Sequence, residues 1–431
     1  MPILFNEAMD AALAILERHP EMLAGAAEVV LVRDLRGRMR PLLAKPAREY
    51  NQSQRKKLES EFETGLGKYG FPAPHSVLYA DSVEMNSQIR DQTVVLKEAA
   101  AGMPRILLLD RQIIGNDWLR RSLPRETGNP RAVFFSVKGG TGRSTAIFNW
   151  AYRLAAQGRK VLVLDLDLES PGLSNSLLDA KTLPDFGIVD WFVEDAVGQA
   201  DLVADGIIGI SHLSRGLDGE ILAAPCQGKR TGQYLPKLAR CYAEYDGKTF
   251  RPWAERLGSL VSTMEEKLQP DLTLIDSRAG LNDIAAALVC RLDAAAFLFA
   301  VNTRQTWAAY RGIFETWQRH PEKEKLRGRL KMVYGLMPET LRKECLGGFL
   351  EQSEDAFREM LYDEVKPGSL DGFYFETNDP DAPHYPLVVN WHRALQEYHP
   401  RTADDLDGKL LEEVYVNFFD SAAIHADLPD A

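Results

Sequence analysis

Five apolar runs in the chain have the length of β-strands. They lie at residues 132–137, 161–167, 271–276, 293–301 and 330–336. Continuous apolar sequence, without alternation, is typical of strands that helices cover on both faces. A helical segment at 146–156 separates the first two runs, and another at 307–319 separates the last two. This order predicts β-α-β units with parallel strands, and so an α/β fold with a mostly parallel sheet flanked by helices.

The first part of the chain has a different order of patterns. It predicts a helix at 5–19, a hairpin at 28–43, a polar helix at 52–66 and an apolar strand at 104–110. The hairpin turn Asp34-Leu35-Arg36-Gly37 ends in glycine, as tight turns often do. We therefore expect a small N-terminal α+β domain over 1–128 and a second domain over 131–431. A joint sequence with glycine and proline lies at 127–130.

The remaining segments predict shorter elements. Between 185 and 265 we expect a helix at 185–192, strands at 207–213 and 220–224, and a polar basic loop at 225–234. The loop is interpreted either as a surface connector or as a segment that orders when a nucleotide binds. From about 341 the pattern is acidic and mainly helical, with a surface turn at 379–386 and an amphipathic helix at 406–419.

Composition narrows the class of protein. No window approaches the roughly 18 consecutive apolar residues of a membrane span. The N-terminus has early acidic residues and no basic segment, so we expect no secretory signal. The four cysteines are far apart and lack C-x-x-C spacing, which indicates reduced thiols. We therefore expect a cytoplasmic protein without a disulfide framework or a zinc site.

Charge is unevenly distributed along the chain. The formal net charge is −11, and residues 341–431 carry 7 Lys/Arg against 20 Asp/Glu. This acidic part does not favour nucleic acid or a membrane surface as partner, since both attract clustered Lys/Arg. A loose basic cluster lies within residues 33–57. We interpret it as a solvated face. A docking surface for nucleic acid or an acidic partner is the alternative, although no series of aromatic residues is interleaved with it.

Residues 133–146 combine a buried strand, a glycine-rich turn and the start of a helix. Gly139, Gly140 and Gly142 allow the backbone to curl tightly with its N–H groups pointing inward. Ser144-Thr145 opens the helix, whose positive end faces the same concavity. The sequence therefore predicts a cradle for the phosphates of a nucleotide.

Aspartates follow two of the other predicted strands. One strand ends in Asp165-Leu166-Asp167, and another ends in Asp276, with Gly280 allowing a sharp turn shortly after. In open α/β sheets, ligands bind at the carboxyl ends of the strands. We therefore expect these carboxylates to lie beside the phosphate cradle.

The glycine-rich segment departs from the usual P-loop pattern G-x-x-x-x-G-K-[ST], because Val137 stands at the first glycine and Arg143 at the lysine. Its sequence Lys-Gly-Gly-Thr-Gly-Arg-Ser-Thr resembles the deviant Walker A loop of the ParA/MinD family of ATPases, in which the leading lysine, here Lys138, is the signature residue. The resemblance covers about residues 131–337 and points to a KGGxGR-[ST] variant subgroup. It implies a P-loop NTPase fold, ATP and Mg²⁺ as ligands, and an ATP-dependent homodimer.

The resemblance also implies a role for each motif residue. In the family, the leading lysine reaches the nucleotide of the partner in a dimer, and an aspartate of the Asp-x-Asp element orients the attacking water. The Walker B aspartate holds Mg²⁺ through water. The implied catalytic residues are Lys138, Asp167 and Arg143. The implied metal-site residues are Ser144, Asp165 and Asp276. The implied nucleotide contacts are Gly139, Gly140, Thr141, Gly142, Arg143, Ser144 and Thr145.

Two departures from the family pattern limit what the resemblance implies. Arginine at 143 keeps the positive charge but is planar and larger than lysine, so we expect slow turnover. The strand at 330–336 is not followed by the asparagine that reads adenine in relatives, so base preference is open. Three functions stay open. The first is an ATPase switch that regulates a partner complex in partitioning, positioning or defence. The second is a nucleotide-binding interaction module with poor hydrolysis that gates the N-terminal domain, and the third is a small-molecule kinase or amidoligase.

Overall fold

The computed structural model describes residues 2–82, 87–90, 92–100, 102–112, 114–125, 127–243, 251–364, 372–396, 408–416 and 418–429. The chain divides into two compact units. Unit 1 comprises residues 1–121 with 319–321, and unit 2 comprises 122–318 with 322–431. Each unit has its own β-sheet. That the two units are the separate domains expected from the sequence stays a prediction.

The described residues of unit 1 form a five-stranded mixed sheet and four α-helices. The strands are β1 (Glu28–Arg33), β2 (Met39–Leu43), β3 (Leu78–Tyr79), β4 (Thr93–Lys97) and β5 (Arg105–Asp110), in the order β3-β2-β1-β5-β4. The helices are α1 (Phe5–Glu17), α2 (Pro20–Leu23), α3 (Gln52–Gly65) and α4 (Ser87–Arg90). The predicted hairpin is present as the antiparallel pair β1–β2, and β5 lies parallel to β1.

The core of unit 1 follows from the spacing of its apolar residues. In α1, Ala8, Ala12 and Leu16 recur every four residues, so they share one helical face, and all three are buried. They belong to one apolar cluster with Leu31 of β1 and Leu108 of β5. The amphipathic pattern at 5–19 therefore predicts this helix correctly.

Unit 2 has an eight-stranded sheet. Its strands are β6 (Arg131–Ser136), β7 (Lys160–Leu166), β8 (Gly209–Ile210), β9 (Glu220–Ala224), β10 (Leu272–Ser277), β11 (Ala295–Ala300), β12 (Leu330–Met337) and β13 (Leu387–Asn390). The order is β13-β12-β11-β6-β10-β7-β9-β8, and every neighbouring pair is parallel except β8–β9. The α/β fold with a mostly parallel sheet is therefore confirmed.

Helices cover both faces of the central strand β6. Phe134 packs near Trp150 and Phe418 on one face, and the next residue, Phe135, packs near Tyr310 on the other. Both faces are apolar because the strand is covered on both sides. The α-helices in the described part of unit 2 are α5 (Arg143–Ala156), α6 (Leu173–Leu177), α7 (Ile188–Asp195), α8 (Asp201–Ala204), α9 (Tyr234–Cys241), α10 (Trp253–Leu268), α11 (Asp283–Ala286), α12 (Arg304–Trp317), α13 (Lys323–Gly328), α14 (Arg342–Met360), α15 (Gly408–Tyr415) and α16 (Phe418–His425).

Some of the predicted elements are wrong. The strand expected at 207–213 is reduced to the two residues of β8. The helix expected at 406–419 is replaced by α15 and α16 in its described part, and the acidic C-terminal part also contributes the edge strand β13. The turn at 379–386 is not a surface turn throughout, because His384 is fully buried, with its ring Nε2 3.1 Å from the carbonyl oxygen of Thr377.

Two further expectations concern membranes and thiols. In the part of the chain that the structure describes, no helix combines the length and the apolar character needed to cross a bilayer. All four cysteines are free thiols, and three of them, Cys226, Cys241 and Cys290, are buried. The expectation of reduced thiols without a disulfide framework stays a prediction.

Candidate nucleotide site

The glycine-rich loop connects the central strand β6 to helix α5. Gly140 and Gly142 have φ angles of 71° and 89°, in the left-handed region that favours glycine. The loop also lies against the end of β12, where a Cβ atom on Gly335 would come within 2.3 Å of the Thr141 carbonyl oxygen. Glycine at these positions therefore lets the loop curl and pack closely.

Helix α5 begins at Arg143, directly after the loop. The Ala146 N–H group donates a backbone hydrogen bond to the Gly142 carbonyl at 2.9 Å. The N–H groups of a first helical turn have no acceptor within their own helix, and the positive end of the helix dipole lies there. The loop and the first turn of α5 together form the arrangement that binds phosphate groups in proteins.

Two predicted carboxylates lie side by side next to this turn. Strands β7 and β10 are neighbours, and Asp165 is in register with Asp276. Both residues are almost fully buried, with 1% and 2% of their surfaces exposed. Asp165 Oδ2 accepts hydrogen bonds from the Ser174 N–H at 3.0 Å and hydroxyl at 2.9 Å. The Ser144 hydroxyl, in the first turn of α5, donates to Asp276 Oδ2 at 2.5 Å.

Burial and mutual repulsion raise the pKa values of the site's carboxyl groups. Burial is the main cause in each case. It raises the pKa of Asp165, that of Asp167 to about 6 and that of Asp276 to about 7. Repulsion between the carboxylates adds to the increase for Asp167 and Asp276, whereas the Arg143 charge opposes it. Burial therefore makes the ionised forms of these carboxyl groups unfavourable, and Arg143 offsets part of this cost.

The acidic oxygens fit a divalent cation bound together with phosphate. One buried oxygen of each carboxylate, Oδ1 of Asp165, Asp167 and Asp276, has no hydrogen-bond partner. Within the described residues, no group of three or more His, Cys, Asp or Glu side chains is arranged to hold a metal alone. Mg²⁺ is usually held by only one or two carboxylates, with water and phosphate oxygens completing its shell. The residues present thus suit Mg²⁺ with a nucleotide.

Arg143 is buried within this acidic group. Its side chain does not extend into solvent above the loop, because Nη1 donates to the Ser277 carbonyl at 2.5 Å, at the end of β10. The guanidinium also attracts Asp167 and Asp276 and limits the rise of their pKa values. In this form of the protein, Arg143 serves as a counter-ion for the carboxylates.

The other predicted residues are placed around the loop. Lys138 is exposed to solvent, and Thr145 lies in the first turn of α5. Thr141 is buried, and its hydroxyl oxygen has no hydrogen-bond partner. The predicted nucleotide contacts at 139–145 are continuous along the loop, so the structure brings them together with Asp165 and Asp276. Their roles stay predictions.

Sequence patterns missed Ser174, Glu169 and Tyr242 among the residues that hold the site. Ser174 fixes Asp165, and Glu169 forms an ion pair with Arg278 at 2.8 Å. Tyr242, just after α9, donates to Glu169 Oε1 at 2.9 Å. No short motif announces these contacts. The nearest sequence signal is the position of Glu169 and Arg278, each two residues after an aspartate of the site.

No protein-family model and no curated protein matches the sequence. Among solved structures, the chain is similar to pNOB8 ParA bound to nonspecific DNA, with 16% identity, coverage of 69% of this chain and 99% of that chain, and a TM-score of 0.42. A Cyanothece McdA variant in complex with ATP gives 14% identity, 71% and 99% coverage, and a TM-score of 0.43. The kinase domain of the Escherichia coli tyrosine kinase ETK gives 19% identity, 44% and 63% coverage, and a TM-score of 0.29. At these low similarities, the site is interpreted from its own residues.

Proposed function

We propose that unit 2 binds ATP with Mg²⁺ at the glycine-rich loop and hydrolyses it slowly, as a molecular switch of the ParA/MinD type. The observation that carries this proposal is the convergence of buried Asp165 and Asp276 and of half-buried Asp167 on the phosphate-binding end of α5. Their unpartnered oxygens can accept a cation, and the helix end favours an anion. A magnesium-bound nucleotide supplies both.

The proposed chemistry consists of positioning and charge stabilisation. The backbone of residues 139–145 holds the phosphates, and Ser144 and Asp276 hold the metal and its water, with Asp165 supporting this shell. Mg²⁺ supplies positive charge to the phosphate oxygens when it is bound. Asp167 orients the attacking water, and its pKa of about 6 suits a hydrogen-bond acceptor near neutral pH.

The proposed switch acts as an ATP-dependent homodimer. Lys138 is exposed, so its ammonium group is available to the nucleotide of a second copy. Arg143 keeps the charge of the usual P-loop lysine, but its planar guanidinium needs a different fit to the phosphates, which leads us to expect low turnover.

The proposed dimer regulates a partner complex in the cytoplasm, in partitioning, positioning or defence, through a protein partner. The charge of the chain does not favour nucleic acid as that partner. In the basic cluster of unit 1, Arg33 pairs with Asp110, and Arg38 pairs with Asp34 at 2.8 Å. These pairs neutralise part of the positive charge that phosphate groups would need.

The position of Arg143 favours a second candidate function. Since its guanidinium is buried and bonded to the Ser277 carbonyl, it has to move before it can reach a phosphate. A nucleotide-binding module that hydrolyses ATP poorly, and that gates a partner of the N-terminal domain, accommodates this arrangement. Measurement of phosphate release separates the two candidates.

The test compares wild type with Lys138→Ala for nucleotide binding, phosphate release and molecular mass by light scattering, with Mg²⁺ and ATP. We expect slow phosphate release and ATP-dependent dimers in wild type, and loss of both in Lys138→Ala, with ATP still bound by the monomer. Lys68→Ala, at an exposed lysine of unit 1, is the matched control and should behave as wild type. Nucleotide binding by wild type without any phosphate release would favour the second candidate function. Unchanged dimers in Lys138→Ala would contradict the role of Lys138 across the dimer. Absence of nucleotide binding would contradict both functions.

A further inference from the structure

An ion pair bridges the two loops that carry the carboxylates of the site. Glu169 follows Asp167 by two residues after β7, and Arg278 follows Asp276 by two residues after β10. Arg278 Nη1 lies 2.8 Å from Glu169 Oε1. Because β7 and β10 are neighbours in the sheet, this pair crosses the edge at which ligands bind in such folds.

The loop that carries Arg278 touches the phosphate cradle on both sides of that residue. The Ser277 carbonyl accepts a hydrogen bond from Arg143 at 2.5 Å, and the Gly280 N–H donates to the Ser136 carbonyl at 2.9 Å. Arg278 therefore lies between two contacts with the segment that forms the cradle. Its side chain is 41% exposed, so the guanidinium can change partner without opening the core.

Glu169 has support that does not depend on Arg278. The Tyr242 hydroxyl donates to Glu169 Oε1 at 2.9 Å, and the Tyr234 hydroxyl donates to the neighbouring Leu168 carbonyl at 2.6 Å. Two tyrosines on or next to α9 therefore hold the turn after β7. Loss of the ion pair should release the guanidinium more than it displaces this turn.

The energetics favour an exchange of partner. The Glu169 side chain is 27% exposed, and ion pairs between partly exposed side chains are weak. A terminal phosphate carries up to two negative charges and three acceptor oxygens, and guanidinium groups bind such oxygens in a bidentate manner. A triphosphate therefore competes with Glu169 for Arg278. A diphosphate lacks the terminal group that would make this contact.

We propose that Arg278 is a specificity-determining residue that favours a nucleoside triphosphate over a nucleoside diphosphate, with Glu169 as the competing anion. Without nucleotide, Glu169 holds the guanidinium. A terminal phosphate in the cradle draws the guanidinium away from Glu169, while Tyr234 and Tyr242 keep the turn after β7 in place. This inference rests on the proposed function, since it requires nucleotide at residues 139–145.

The test is a double-mutant cycle on the full chain with Glu169→Gln, Arg278→Gln and the double variant. Each protein is titrated by calorimetry with Mg²⁺ and either a non-hydrolysable ATP analogue or ADP. Glu169→Gln keeps an acceptor for Tyr242 and should bind the triphosphate about two- to fivefold more tightly, with ADP binding unchanged. Arg278→Gln should weaken triphosphate binding by a similar or larger factor. The double variant should match Arg278→Gln, because the gain requires the arginine.

Glu359→Gln is the matched control. It removes another Arg–Glu ion pair, with Arg311 between α12 and α14, and should leave both affinities unchanged. Equal effects of Glu169→Gln on the triphosphate and on ADP, or a gain that persists in the double variant, would overturn the inference alone. Wild type that binds neither nucleotide would overturn the proposed function and the inference with it.

Discussion

Two clusters of buried charged residues in the described part of unit 2 lie at opposite ends of its sheet. At the amino ends of the strands, Arg131 forms two hydrogen bonds to the Glu265 carboxylate, at 2.8 Å and 2.6 Å, and a third to the Leu292 carbonyl at 3.0 Å. The Thr273 hydroxyl adds a bond to Glu265 Oε1 at 3.0 Å. Each charge in this cluster has partners supplied by the protein itself.

The cluster at the carboxyl ends is arranged differently. Asp165, Asp167 and Asp276 each keep a buried oxygen without a hydrogen-bond partner, and Arg143 is the cation that lies among them. Buried polar groups in native proteins are nearly always paired, so unpaired ones require a specific reason. Folding satisfies the first cluster, whereas the second one has a deficit that a bound ligand can remove. The comparison thus separates a structural charge cluster from a candidate functional one.

The largest expected effect follows from breaking the satisfied cluster. Arg131→Met leaves the Glu265 carboxylate buried without its counter-ion, which should lower the free energy of unfolding of unit 2 by about 3–5 kcal/mol. Urea unfolding followed by tryptophan fluorescence measures this loss, since six of the seven tryptophans lie in unit 2. The double variant with Glu265→Leu should recover much of the stability. A loss below about 1 kcal/mol would show that the first cluster is not structural.

At the carboxyl ends of the strands, removal of a buried charge is expected to stabilise the protein rather than destabilise it. The pKa of Asp276 is about 7 in the folded protein against 3.8 for an exposed aspartate, so the folded form binds the proton more tightly. The stability due to this difference is complete below pH 3.8 and is lost as the pH rises to about 7. Asp276→Asn removes the buried charge and should therefore stabilise the nucleotide-free protein at pH 8, on the order of 2–4 kcal/mol.

The gain in Asp276→Asn should shrink between pH 8 and pH 5, because the wild-type carboxyl group becomes protonated. Thermal unfolding at the two pH values measures it. Loss of the attraction to Arg143 limits the gain, which is why its expected size is below that of the Arg131→Met effect. Destabilisation at pH 8 would instead place Asp276 with the structural charges and remove the contrast between the clusters.

The parts that sequence predicted correctly depend on local signals. The central strands are continuous apolar runs, and the glycine-rich loop and the aspartates of the site lie within short motifs. These signals also predicted that Asp165 and Asp276 would lie next to the cradle, because parallel strands bring their carboxyl ends to one edge. The predicted function and the residue roles go further than these signals and stay predictions.

The parts that sequence missed depend on pairing over long distances. Strand β13 has four residues, follows a proline-rich turn and pairs with β12 more than fifty residues earlier, so no local pattern identified it. The Glu169–Arg278 ion pair depends on the register of β7 with β10. The direction of the Arg143 side chain depends on the Ser277 carbonyl, whose place is set by the same register.

The smallest expected effect is a pH dependence of the affinity for Mg²⁺ with nucleotide. It should come from the cluster that contains Asp276 and not from the Arg131–Glu265 cluster. A metal shell requires Asp276 as a carboxylate, and burial raises the pKa of this group to about 7. Affinity for Mg²⁺ with a non-hydrolysable ATP analogue should therefore fall below pH 7, by at most about tenfold per pH unit for one proton. Calorimetry between pH 8 and pH 6 measures it. A terminal phosphate also titrates near pH 6, so Asp276→Asn serves as the control for that contribution. A profile in wild type no steeper than in Asp276→Asn would mean that the acidic cluster does not hold the metal, even if nucleotide binds beside it.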